Sequence, residues 1–356
     1  GHPRPTAGWR SRGIWAGGAC VTRLAQGGPG GGTLAGWLHF AAAMTKPRRI
    51  VSGRTYLVTA RCLDRVFALA PGRNVNELFA FLLAYCTAEF GVGLHGYVVL
   101  SNHAHWVLTD HEGVLPKMLQ CFNSLLARGL NAFRGRVGSV WERNSLDIKW
   151  LADAAAVVEA LGYVAANPVA AGCVEHGRDW PGLRSQTKPI GRAGQDVLRP
   201  SWLFIDALSR EYRGLLPERS VLRLELPPGI TDDERGRFIH AVESNIGQRE
   251  AAARAAMKAA GRSFLGAARC LRESPDRSAT APEAHGPGTG PSPVMAIDPV
   301  TLAEATAELE GFIEAYRAAR LQWAAGHRDV VFPAGTWFVV QYHGARTTES
   351  GASPHA

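Results

Sequence analysis

The sequence predicts an α+β domain, an antiparallel sheet with helices on one face, followed by a mostly helical extension. Three observations carry this. Between residues 54 and 166, β-branched and aromatic runs alternate with segments whose apolar residues recur at helical spacing. Those segments follow the order strand–helix–strand–strand–helix–strand, with one further helix. Beyond residue 190, Ala-rich helical patterns replace the strand-like runs.

Arg54–Arg61 (RTYLVTAR) follows Gly53 and has the composition of a strand. Asn76–Phe90 places Leu78, Phe79, Leu82, Leu83 and Cys86 on one helical stripe. Leu94–Leu100 and His103–Thr109 are two strands joined by a Ser101-Asn102 turn. Leu115–Phe133 is helical again, with Leu115, Met118, Leu119, Phe122, Leu125 and Leu126 in line. Ser139–Leu151 is the fourth strand. Asp153 then caps a helix that runs through Ala166, and Pro168 is expected to stop it. The first six elements are the ferredoxin-like βαββαβ plan, and the added helix carries Tyr163.

The expected organisation is a leader over residues 1–44, a catalytic domain over 45–190 and a helical extension over 191–272. A linker over 273–298, a C-terminal helix and hairpin over 299–345 and a disordered tail over 346–356 complete it. The leader is rich in Gly, Trp and Arg without a period, and Met44 is the expected natural start. Glu273–Pro293, with Ser-Pro-Asp, Gly-Pro-Gly and Gly-Pro-Ser, supplies the linker signal. Val330–His343 is expected as a short hairpin around Phe332-Pro-Ala-Gly-Thr336.

The net charge of +8 over 356 residues points to a polyanionic partner. Residues 45–190 hold 16 basic and 11 acidic side chains, whereas residues 191–356 hold 19 and 20. The surplus therefore lies in the first half. The six cysteines form no C-x-x-C pair, which argues against a zinc ribbon or a disulfide framework and fits a cytoplasmic protein. The longest apolar run, Leu34–Met44, is about half of what a membrane helix needs, so no membrane partner is expected.

His103-Ala-His105 lies on a predicted strand. Residues i and i+2 share a face, about 7 Å apart, so two imidazoles there can converge on one cation. Alone, the pair also fits two solvent-facing histidines on an edge strand. The apolar runs on both sides place it in a buried hairpin, where unpaired polar groups are unfavourable. Tyr163 and Asn167 are four apart and project from one face of a helix. A tyrosine hydroxyl beside a divalent cation can attack a phosphodiester, and an amide oxygen suits a hard metal. Taken by themselves, these two also fit a packed core tyrosine and an Asn cap before Pro168.

Leu94-His-Gly-Tyr-Val-Val-Leu-Ser-Asn-His-Ala-His-Trp-Val-Leu108 and Gly162-Tyr-Val-Ala-Ala-Asn-Pro-Val-Ala-Ala-Gly-Cys-Val174, in that order, resemble two motifs of one family. It is that of the single-tyrosine transposases of small insertion sequences, and within it the transposases associated with repetitive extragenic palindromes. The Arg49–Arg61 stretch, Ser139-Val-Trp-Glu142 and Asp179-Trp-Pro181 fit the same order, so the resemblance spans about residues 46–187. Ser101 stands where the family has Pro, Ala170 where Arg is common, and Asn144-Ser145-Leu146 where a basic and an aromatic residue tend to follow Trp-Glu.

The resemblance implies that His103, His105 and Asn167 hold Mg²⁺ or Mn²⁺ and that Tyr163 attacks DNA. The products are a 5′-phosphotyrosine and a free 3′-hydroxyl. It implies hairpin-forming single-stranded DNA as partner and leaves room for a homodimer. Arg48, Arg49, Arg54, Arg61 and Arg143 are the expected backbone contacts. A replication-initiation or relaxase-type nuclease, or a decayed DNA-binding relic, would share much of this pattern. A helicase signature such as G-x-x-x-x-G-K-[ST] is absent after residue 190. The aromatic motif of RNA-binding sheets of this kind is missing too.

Overall fold

The computed structural model describes residues 47–143, 146–203, 216–280 and 292–348. The expected leader and most of the expected tail lie outside them. The fold is α+β: a mixed five-stranded sheet and seven α-helices among the described residues.

Strand β1 (Arg54–Arg61) lies at the centre of the sheet. It pairs antiparallel with β3 (His103–Asp110) on one side and with β4 (Asp147–Leu151) on the other. β2 (Val92–Val99) pairs antiparallel with the far edge of β3. The order across the sheet is β2-β3-β1-β4, extended by β7 (Val294–Met295), which runs parallel to β4.

Every residue of β2 and all but the first of β3 are buried, because helices cover both faces of this part of the sheet. On one face, Trp106 of β3 stacks on Phe79 of α1 (Arg73–Glu89) and meets Phe122 of α2 (Leu115–Arg134) edge-on. α2 has no capping side chain at its own N-cap. The Asp110 carboxylate at the end of β3 accepts from the Val114 and Leu115 amides instead. α3 (Ala154–Ala170), capped by Asp153, lies on the opposite face and carries Tyr163. It comes close to β2 at a bulge between Leu94 and Gly96, where any Cβ on Gly96 would overlap Leu161.

Pro168 does not end α3, as had been expected; it lies inside the last turn. A proline there forfeits one amide bond to the turn before, and the surrounding core holds the segment helical because Ala165–Val169 are all buried. The helix closes at Gly172, whose φ of 72° suits a glycine. The amides of Gly172 and Cys173 return to the carbonyls of Val169 and Pro168.

The fourth strand is shorter than the predicted Ser139–Leu151. Before it, Trp141 bridges Cys62, just past the end of β1, and the Trp141 indole is turned to the Asn123 carbonyl. The predicted Asp232–Arg272 helix is two: α4 (Arg235–Ala259) and α5 (Ala267–Arg272), separated by Gly261 and Gly266 at positive φ. A small hairpin of β5 (Gln195–Leu198) and β6 (Arg219–Leu222) packs near α1.

The expected linker is held at both ends. Phe67 donates to the Arg277 carbonyl and Ala279 donates to that of Arg65, while residues 294–295 form β7. From Pro47 onward the described residues make one compact unit. α6 (Pro299–Ala324) begins at Asp298, which accepts from the Thr301 amide. In place of the predicted hairpin at 330–343, β8 (Val331–Phe332) pairs parallel with β9 (Arg346–Thr347), and α7 (Phe338–His343) fills the connection. β9 falls where a disordered tail had been expected. Phe332 is fully buried there, against Tyr316 and Trp323 of α6. No described helix is long and apolar enough to cross a membrane.

Candidate active site

Alternation along β3 decides which side chains meet α3. Ala104, Trp106 and Leu108 face the α1–α2 layer, so His103 and His105 face the other way. Their rings lie 4.9 Å apart. The backbone register sets Thr59 of β1 opposite His105 and Arg61 opposite His103. From above the sheet, α3 brings in Tyr163 and Asn167. The Tyr163 hydroxyl lies 3.5 Å from His105 Nε2, and the Asn167 amide nitrogen 3.3 Å from the same atom. Asn167 also acts on His103 and Tyr163, so it stands among all three side chains. The four residues singled out in the sequence therefore form one cluster.

Two residues not singled out orient it. Asn102 Oδ1 accepts from His103 Nδ1 at 2.7 Å, which leaves the lone pair of His103 on Nε2. Thr59 Oγ1 is 2.8 Å from His105 Nδ1 and can do the same for that ring. Asn102 was visible only as a neighbour in the motif. Nothing local in the sequence marks Thr59, because its role depends on strand register.

Burial keeps both imidazoles neutral. It lowers His103 to about 4, with help from Arg61 and against the Asn167 hydrogen bond. Burial, His103 and Arg61 together push His105 well below the ordinary histidine value. Tyr163 is 37% exposed, at the rim. Its partial burial raises the phenol, the Asn167 bond and the charges of Arg61 and Arg249 pull it down, and Asp147 opposes them.

Two neutral imidazoles with oriented Nε2 atoms, each backed by a hydrogen bond at Nδ1, fit a divalent cation. Among the described residues no three His, Cys, Asp or Glu side chains are arranged to hold a metal ion. A cation here would rest on two imidazoles and the Asn167 amide oxygen, leaving positions for water and phosphate oxygens.

The five expected DNA-contacting arginines separate. Arg61 is at the cluster. Arg143 is exposed on the turn before β4, one residue after Glu142, whose amide donates to the Arg61 carbonyl. Arg48 donates to the Leu146 carbonyl at 2.6 Å. Arg49 and Arg54 are committed elsewhere: both pair with Glu308 of α6, and Arg54 lies 3.6 Å over the Trp150 ring. Seven residue steps of extended strand, about 23 Å, separate Arg54 from Arg61.

Sequence reasoning also missed the α3–α4 contact. Asn245 and Arg249 of α4 both bond Glu159 of α3, and Arg249 Nε donates to Asn245 Oδ1 at 2.7 Å. Gly162 makes this approach possible, since a Cβ there would overlap Asn245. A glycine beside Tyr163 was the one local hint.

No family model matches the chain, and neither does any curated protein. Among solved structures, it is similar to that of a REP-associated tyrosine transposase bound to a REP hairpin. The match has 17% identity and a TM-score of 0.34, and covers 39% of this chain and 81% of that one. At that distance, the roles of the site residues rest on the geometry above.

Proposed function

We propose that this chain is a metal-dependent single-stranded-DNA transposase of the single-tyrosine kind, which nicks and rejoins DNA through a 5′-phosphotyrosine. One observation carries the reading: a rim-exposed tyrosine hydroxyl 3.5 Å from a buried, neutral imidazole, in a cluster with a second imidazole and an amide. Two features support it. The four antiparallel strands stand in the order β2-β3-β1-β4, as a split βαβ plan would have them, with β7 as an added edge. The two sequence motifs that resemble the family are the ones that meet.

His103, His105 and Asn167 would hold Mg²⁺ or Mn²⁺. When bound, the cation supplies Lewis-acid polarisation of the scissile phosphate and stabilises charge on the leaving oxygen. Tyr163 Oη attacks phosphorus, and the bond to the 3′ oxygen breaks. The phenol proton passes to solvent, and the 3′ oxygen takes one up as it leaves as a hydroxyl. The energy of the phosphodiester stays in the tyrosyl ester, so a second 3′-hydroxyl can displace Tyr163 and reseal the strand. Arg61, in the field of the cluster, is placed to bind the DNA backbone without reading its sequence.

The test uses the full chain, Mn²⁺ and end-labelled single-stranded hairpin oligonucleotides from the flanks of the gene. A denaturant-resistant protein–DNA adduct is expected with the wild type. Tyr163→Phe removes only the hydroxyl, so the adduct should vanish while strand affinity and melting temperature persist. An adduct of equal yield in Tyr163→Phe would assign the nucleophile elsewhere.

A further inference from the structure

Residues 45–190 were expected to supply every catalytic group, and a charged side chain from α4, outside them, is fixed against the helix that carries Tyr163. Glu159 lies one turn before Tyr163 on the same face of α3. Its carboxylate takes a hydrogen bond from Asn245 and an ion pair from Arg249. Arg249 is further fixed through Nε to Asn245. The absent side chain of Gly162, just before Tyr163, lets α4 close to this depth.

These bonds use Nε and Nη2 of a guanidinium that has five N–H donors in a planar fork. The group is held along its Nε–Nη2 edge, and the side chain is 34% exposed. Arg61, opposite His103 on β1, acts on the same tyrosine through its charge. Both arginines are positive charges near the helix at which a phosphate held by Tyr163 would lie.

We propose that Arg249 is a catalytic residue of this site: positioned by Glu159 and Asn245, its guanidinium grips a non-bridging oxygen of the phosphate that Tyr163 attacks. The proposal rests on the transposase reading above. It deepens that reading by making the helical extension part of the active site.

The experiment measures single-turnover adduct formation by the full chain at saturating labelled single-stranded hairpin oligonucleotide. The scissile phosphate is either all-oxygen or a phosphorothioate resolved into its two diastereomers. Arg249→Ala is expected to slow the adduct about 100-fold, the scale of losing one preorganised oxyanion donor, with strand affinity little changed. Arg249→Lys keeps the charge without the fork and should recover only part of the rate.

Sulfur at the gripped oxygen should slow the wild type for one diastereomer, and that stereoselectivity should shrink in Arg249→Ala. Glu159→Gln loosens the α3–α4 contact while keeping the guanidinium, so it should retain the stereoselectivity. Melting curves report whether each variant folds. If Arg249→Ala misfolds, Arg249→Lys decides by the same stereoselectivity readout. Arg249 variants that keep the wild-type stereoselectivity, or an Arg249→Ala within about threefold of wild-type rate, would overturn the proposal and leave the transposase reading intact. A wild type that forms no adduct with any strand would sink both.

Discussion

The two ends of β1 look alike in composition and behave differently. Each end carries an arginine and buries a threonine linked to a histidine on the face turned toward α3. At the Arg54 end, Thr55 bonds Thr109, which is 2.7 Å from His95 Nε2, while His95 Nδ1 is 2.9 Å from the Glu225 carbonyl. Both ring nitrogens are closed by short bonds within the protein. At the Arg61 end, Thr59 holds only Nδ1 of His105. Nε2 has just the longer contacts to Asn167 and Tyr163, at 3.3 and 3.5 Å. The arginines follow suit: Arg54 is stacked and ion-paired, whereas Arg61 acts on the imidazoles and the tyrosine. A buried histidine satisfied on both sides is structural. In the proposed reading His105, whose Nε2 has only the longer contacts, exchanges them for a ligand.

The largest effect expected from this contrast is on metal binding. His103→Ala or His105→Ala should abolish Mn²⁺ binding in calorimetry, while His95→Asn should leave it near wild type. Thr59→Val, which removes the support behind His105, should weaken binding by about 10-fold. Equal affinity in wild type and His105→Ala would erase the distinction between the two ends.

Next comes DNA affinity. Arg61→Ala should weaken single-strand binding and reduce the slope of log K against log salt by about 0.7, the loss of one phosphate contact. Arg54→Ala should leave that slope alone. It should instead lower the melting temperature, because the Trp150 stack and the Glu308 pair together contribute about 1 kcal/mol. A salt slope that changes in Arg54→Ala would place DNA at the wrong end of the strand.

The smallest effect is on acid stability. Burial lowers His95 to about 4, against an ordinary value of about 6.5. Between those values the unfolded chain binds the proton and the folded chain does not. Stability is therefore present above about pH 6.5 and is lost as pH falls toward 4. His103 and His105 shift in the same direction. His95→Asn, which keeps a donor toward Glu225, should flatten part of the fall in melting temperature between pH 7 and pH 5. A variant as acid-sensitive as the wild type would assign the dependence to the other two histidines.

Much of the site was legible because its logic is local. A two-residue period puts His103 and His105 on one face, and a four-residue step puts Tyr163 and Asn167 on one face. β1 and β3 fall where composition placed them, with β3 one residue longer. What failed was local reasoning applied to buried or long-range elements. Pro168 is tolerated because the core around it holds the helix. β7, from a Gly/Pro-rich stretch, exists because β4 offers a free edge to pair with. Arg49 and Arg54 were expected to contact DNA, and their partner Glu308 lies more than 250 residues away.

The sequence by itself determined the α+β class, the segments that become strands and helices, and which candidate residues share a face, because periodicity acts over a few residues. Only the tertiary structure decided that the face of β3 meets the face of α3. It alone decided that Thr59 and Asn102 orient the imidazoles, that Arg61 stays at the cluster while Arg54 is drawn into a structural pair, and that α4 brings Arg249 to the nucleophile's helix. Those outcomes depend on strand register and helix packing, which join residues tens to hundreds of positions apart and leave no local period to read.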